Sequence, residues 1–96
     1  MIEFHELALE EVREAQAWYA ERSPAAAAKF RLALDRAVEG IVRSPDRFPK
    51  IHSHFRYACV FGFPYIITYR QRQHDVPMVM AVAHTSRQSN YWIDRE

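Results

Sequence analysis

His52 and His54 stand one residue apart. In an extended segment both rings point to one side, the arrangement of paired metal ligands. No third ligand follows close in sequence, so the pair reads as surface loop and no metal site is expected. Cys59 is the single cysteine, which excludes an internal disulfide framework and a multi-cysteine zinc centre. It falls in a strand pattern and reads as an inert buried thiol. His84 closes an apolar run, where a histidine most often serves as a strand-end hydrogen-bond partner. Phosphate-loop, dinucleotide and Ser-His-Asp patterns are absent, so no cofactor is expected. Eleven of the thirteen Lys and Arg residues are arginine, whose planar fork suits carboxylate and phosphate.

These residues need elements to position them. With 96 residues the chain makes one domain, taken as residues 1–96. Hydrophobic residues are 49% and charged residues 26%, a balance that excludes a disordered chain. The longest uncharged stretch, 57–69, is too short and too broken to span a bilayer. The first residues are acidic and unlike a secretory signal, so a cytoplasmic protein is expected. Residues 1–40 hold eight acids and five bases, and residues 41–96 hold four acids and eight bases. The second half can meet an anionic partner, but a net charge of +1 is weak for a chain that lives on nucleic acid.

Residues 2–5 read as a short strand. Ala8, Val12, Ala15 and Tyr19 then recur on one helical face. Ser23 and Pro24 end that helix and open a second, running to about Arg43, with the stripe Ala27, Phe30, Leu34, Ala37 and Ile41. Trp18 and Tyr19 are expected in the core of this antiparallel hairpin. Residues 45–54 read as loop. From Phe55 the period becomes two, with strands also from Tyr65 to Arg70 and from Met78 to His84. The last run is nearly all apolar, as in a strand covered on both faces. The expected fold is α+β: an N-terminal strand, then a helical hairpin packed on a three- to four-stranded antiparallel sheet.

The order of elements and several local motifs resemble the RelE/ParE toxin superfamily of type II toxin–antitoxin systems. The motifs are Phe4-His5 with Ala8 and Glu11, AWYAERSP at 17–24, Lys29-Phe30-Arg31, and SPDRFPKI at 44–51. Arg56 follows, then FPYIITYR at 63–70 and AVAHTSRQSNYW at 81–92. Together they cover almost the whole chain, and the later ones look like the ParE-related, plasmid-stabilisation branch. The resemblance implies a β-α-α-β-β-β fold, a toxin role and a cognate antitoxin.

Two activities follow from the resemblance. ParE-like members poison DNA gyrase by binding it. RelE-like members are metal-independent endoribonucleases that cut messenger RNA on the ribosome. Such cleavage needs a base, a cationic phosphate clamp and an acid. Arg56, His84, Arg87 and Tyr91 are the catalytic candidates: His84 as base or acid, the arginines on phosphate, Tyr91 as proton donor or stacking platform. Plainer readings stand beside these. Arg56 can pair with Glu10 or Glu14, Arg87 can be an antitoxin anchor, and Tyr91-Trp92 can be a packing plug. With only two lysines and little net charge, the gyrase reading leads. Arg56, Tyr65, Arg70, Arg87, Tyr91, Trp92 and Arg95 are then the expected contacts to target or antitoxin. The toxin alone is not expected to read DNA sequence or to touch a membrane. A third reading is a degenerate toxin that retains only antitoxin binding.

Overall fold

Ser23 both closes the first helix and opens the second. Its backbone N–H donates to the Tyr19 carbonyl at 2.8 Å, and its hydroxyl oxygen accepts from the Ala26 N–H at 3.1 Å. Pro24 then takes the first helical position, where a missing N–H costs nothing. The result is helix α1, Glu6–Arg22, and helix α2, Pro24–Arg43. At the other end of α1, His5 Nδ1 accepts from the Leu7 N–H and caps the helix. Gln16 Nε2 donates to the Ala27 carbonyl at 2.8 Å and ties the two helices together.

The computed structural model describes all 96 residues. The strands are β1, Glu3–Phe4; β2, Lys50–His52; β3, Phe55–Cys59; β4, Tyr65–Arg70; and β5, Met78–His84. A short 3₁₀ turn, Ile93–Arg95, ends the chain. The sheet order is β1-β5-β4-β3-β2. Strands β2 to β5 pair antiparallel, while β1 joins β5 parallel. The α+β architecture and the strand–hairpin–sheet order match the sequence reading. The sheet has five strands and is mixed, not three or four wholly antiparallel ones. The β1 contribution is two residues laid beside the last strand, and β2 lies inside the segment read as loop.

The two helices cover one sheet face. Ala8, Val12, Ala15, Phe30, Leu34 and Ile41 pack on Ala58, Val60, Ile67, Tyr69, Val79 and Val82. The opposite face is covered by the C-terminal segment, whose Trp92 packs with Phe55, Met80, Ala81 and Ala83. A bulge in β5 supports both layers. Thr68 pairs with Ala81 and Tyr69 with Val79, so Met80 is the extra residue. Val79 and Val82, three apart, thereby share the helix face.

Two core assignments change. Cys59 is exposed: it points away from the helices, beside the part of the second face that Trp92 covers. Trp18 is 50% exposed. One residue of helical rotation separates it from Tyr19, which does face the core against Phe30, Phe63 and Tyr65. Trp18 instead presents its edge to Tyr19 and carries the Arg22 guanidinium 3.6 Å above its ring.

Candidate functional site

Strand β1 stops at Phe4, opposite Val79, so the outer edge of β5 continues without a strand beside it. Side chains satisfy that edge instead. Glu11, on α1, accepts the Val82 N–H at 3.0 Å, and Arg95 donates to the Met80 carbonyl at 2.9 Å. The same two residues bind each other: Arg95 Nη1 and Nη2 reach the two Glu11 oxygens at 3.0 and 2.9 Å, a bidentate pair. Tyr91 donates its hydroxyl to Glu11 at 2.6 Å. The Arg87 guanidinium lies 3.8 Å over the Tyr91 ring and 3.5 Å from the same carboxylate.

Glu11 is 9% exposed. Burial alone would raise its carboxyl pKa, but hydrogen bonds from Arg95, Tyr91 and Val82 outweigh this and hold it below the ordinary glutamate value. Burial raises the Tyr91 hydroxyl strongly, and donation to Glu11 raises it further. The Arg95 guanidinium is held more firmly charged by its bond to Glu11, against some desolvation. The cluster is therefore an ionised carboxylate surrounded by its own donors.

Beside it runs a groove of about 420 Å³ between α1 and the β4–β5 face. Glu14, Trp18, Tyr65, His84 and Arg87 line it, together with Glu11. His84 Nδ1 accepts from the Ser86 N–H at 3.0 Å and lies 2.8 Å from the Ser86 hydroxyl. A backbone N–H can only donate, so this bond places the neutral ring's proton on Nε2. The ring packs edge-to-face on Tyr65 at 5.1 Å.

The structure brings Tyr65, His84, Arg87, Tyr91 and Arg95 to this end of the sheet, but not Arg56 or Arg70. Arg56 is in register with Tyr69 on β4, whereas His84 is in register with Tyr65. Four residues of strand and two strand spacings separate them, about 13 Å along and about 10 Å across. Arg56 forms no ion pair with Glu10 or Glu14; it donates to the Phe48 carbonyl at 2.6 Å. Arg70 sits at the far end of β4, opposite Phe55. Trp92 is 1% exposed and meets Phe55 edge-to-face at 5.0 Å, a packing plug in this conformation. His54 is engaged by Glu96 at 3.0 Å, and no group of three or more His, Cys, Asp or Glu side chains is placed to hold a metal ion.

Glu11 is the member of this cluster that the sequence does not single out as a site. Its signal was available: it falls between Ala8 and Val12, three residues from the one and four from Ala15. A charged residue on a buried stripe asks for a partner.

A strand, a helical hairpin and an antiparallel meander extended by that first strand, with a groove beside the open edge, define a small α+β domain. The chain matches the family described as ParE toxin of type II toxin-antitoxin system, parDE, over residues 2–89, and it belongs to that family. It is thus a toxin of a type II pair, and its partner is a cognate antitoxin. Among curated proteins no relative matches. No helix is long and apolar enough to cross a membrane.

Proposed function

We propose that this toxin acts in the cytoplasm by binding DNA gyrase, and that it works through recognition and not through RNA cleavage. The observation that carries this reading is the Glu11 cluster. A nuclease needs free cations for the phosphate and a free proton donor for the leaving oxygen. Here the Tyr91 hydroxyl is held by Glu11 in a hydrogen bond, and Arg95 and Arg87 face the same carboxylate. A phosphate placed there would meet that negative charge. His84 offers an N–H from Nε2 and no free lone pair for a base, because Nδ1 is occupied by Ser86. Arg56 is too far away to complete such a site.

The groove suits a protein segment better. Its lining mixes aromatic rings with charged ends, the composition of protein–protein hot spots. Trp18, half-exposed on α1, gives it an apolar wall. The antitoxin binds there as a helix or an added strand, with its acids toward Arg87.

Primer extension on a translated messenger, shortly after induction without antitoxin, tests the reading. Intact messenger with arrested growth, followed by loss of supercoiling by purified gyrase, is the expected result. Cuts at codon positions that vanish when translation is blocked would overturn it. Intact messenger with normal growth would overturn it too, leaving a chain that only binds its antitoxin.

A further inference from the structure

At the end of the sheet far from the groove, the loop over residues 44–49 lies across the β3 and β4 termini. Two side chains hold it: Tyr69 donates its hydroxyl to the Pro45 carbonyl and Arg56 donates to the Phe48 carbonyl, each at 2.6 Å. A second cavity of about 420 Å³ opens here. It is lined by Asp46, Lys50, His54, Arg56, Gln71 and His74 with Gln73, and by no hydrophobic residue.

Two cations in this lining have no ion-pair partner. Neither Arg56 nor Lys50 forms an ion pair with any carboxylate of the chain. Arg56 is half-buried and aimed by the Phe48 carbonyl, and a guanidinium has five N–H donors. A half-buried guanidinium without a counter-ion is costly, and the cost is relieved by an incoming anion. The rim already holds one: the Glu96 carboxylate is gripped by His54 Nε2 at 3.0 Å and by Arg72. The cavity also offers acceptors. Asp46 is one; Gln71 also lines it, and its Oε1, buried as the side chain stands, has no hydrogen-bond partner and becomes available when the amide turns toward the cavity. Such acceptors want hydroxyl donors. The lining has no Phe, Tyr, Trp or aliphatic wall, and of its two imidazoles His54 is already packed on Phe55 at 4.4 Å.

We propose that this cavity binds a small phosphorylated polyol of the sugar-phosphate class. Arg56, Lys50 and His74 hold the phosphate, and Asp46 and Gln71 take the hydroxyl groups. An arginine fork with a lysine point charge suits a phosphate's several oxygens. The site lies at the opposite end of the sheet from the groove, so it does not depend on gyrase being the target.

Calorimetric titration of the full chain at neutral pH and fixed ionic strength tests it, with ribose 5-phosphate, inorganic phosphate and citrate as probes. Saturable binding of ribose 5-phosphate is expected, weaker binding of inorganic phosphate, and weaker still of citrate. Losing one charge-assisted contact weakens binding about tenfold or more, so Arg56→Met should show at least that loss. Lys50→Ala and His74→Ala carry the test if Arg56→Met does not fold, since both side chains are exposed. Heat no greater than that of sodium chloride at equal ionic strength would overturn the site. So would unchanged affinity in these variants. Equal binding of inorganic phosphate, or of citrate, would overturn the polyol assignment.

Discussion

At Glu11 one buried carboxylate meets four donors: the Val82 N–H, the Tyr91 hydroxyl and both terminal nitrogens of Arg95. Removing its charge leaves Arg95 buried without a counter-ion. Breaking a buried pair from one side costs about 3 kcal/mol, so Glu11→Gln should lower the urea midpoint by that much stability. The pH dependence has a defined sign. The folded carboxyl titrates below the unfolded value of 4.5, so its contribution is complete above that pH and is lost as pH falls through the folded pKa. Urea unfolding between pH 7 and pH 3 should show this loss in the parent chain and a shallower one in Glu11→Gln. A parallel slope in the two would remove Glu11 as the cause. At this scale sequence reading was least informative. Arg87 and Tyr91 were legible as residue types that bind, but their shared partner lies some eighty positions away on another element. Nothing in local spacing reports that distance. Arg95 was expected to contact target or antitoxin; in the structure its side chain is mostly buried on Glu11.

The helices and the longer strands were legible because periodicity accumulates over many residues. The α1 and α2 bounds follow from Ser23 and Pro24 together with the stripes through Ala15 and Phe30. The N-terminal strand was also legible, at residues 2–5, but β2, with three residues, is too short to show an alternation and exists through pairing with β3. Two tests belong here. Ser23→Ala removes the α2 cap and should cost about 1 kcal/mol in thermal or urea unfolding. Trp92→Ala should cost far more, about 3–5 kcal/mol, because it empties the layer against Phe55 and Met80. If the loss is instead below 1 kcal/mol, the C-terminal segment is not a structural layer of the sheet.

Across the whole molecule, two ends of the sheet carry different surfaces. The α1 end offers rings and mixed charge, and the β2 end offers cations and amides around a polar cavity. Trp18→Ala tests the first without disturbing the core. Its exposed ring should leave unfolding stability within about 0.5 kcal/mol, while antitoxin affinity measured by calorimetry falls. Unchanged affinity would place the antitoxin elsewhere.

The parallel pairing of Glu3 with Met78 and Phe4 with Val79 has a consequence for how the chain is made. The first strand pairs only with the last strand, and the first helix, already packed on α2, meets the sheet chiefly through that strand. During synthesis, everything before β5 leaves the ribosome with an open sheet and with α1 held by α2 but not by the strand it covers, and long-range pairing of this kind is slow to form. The fold therefore has no shorter working version. A stop codon anywhere before residue 78 yields a fragment without the strand that α1 and β1 rest on, so nonsense alleles across most of the gene should abolish toxicity alike.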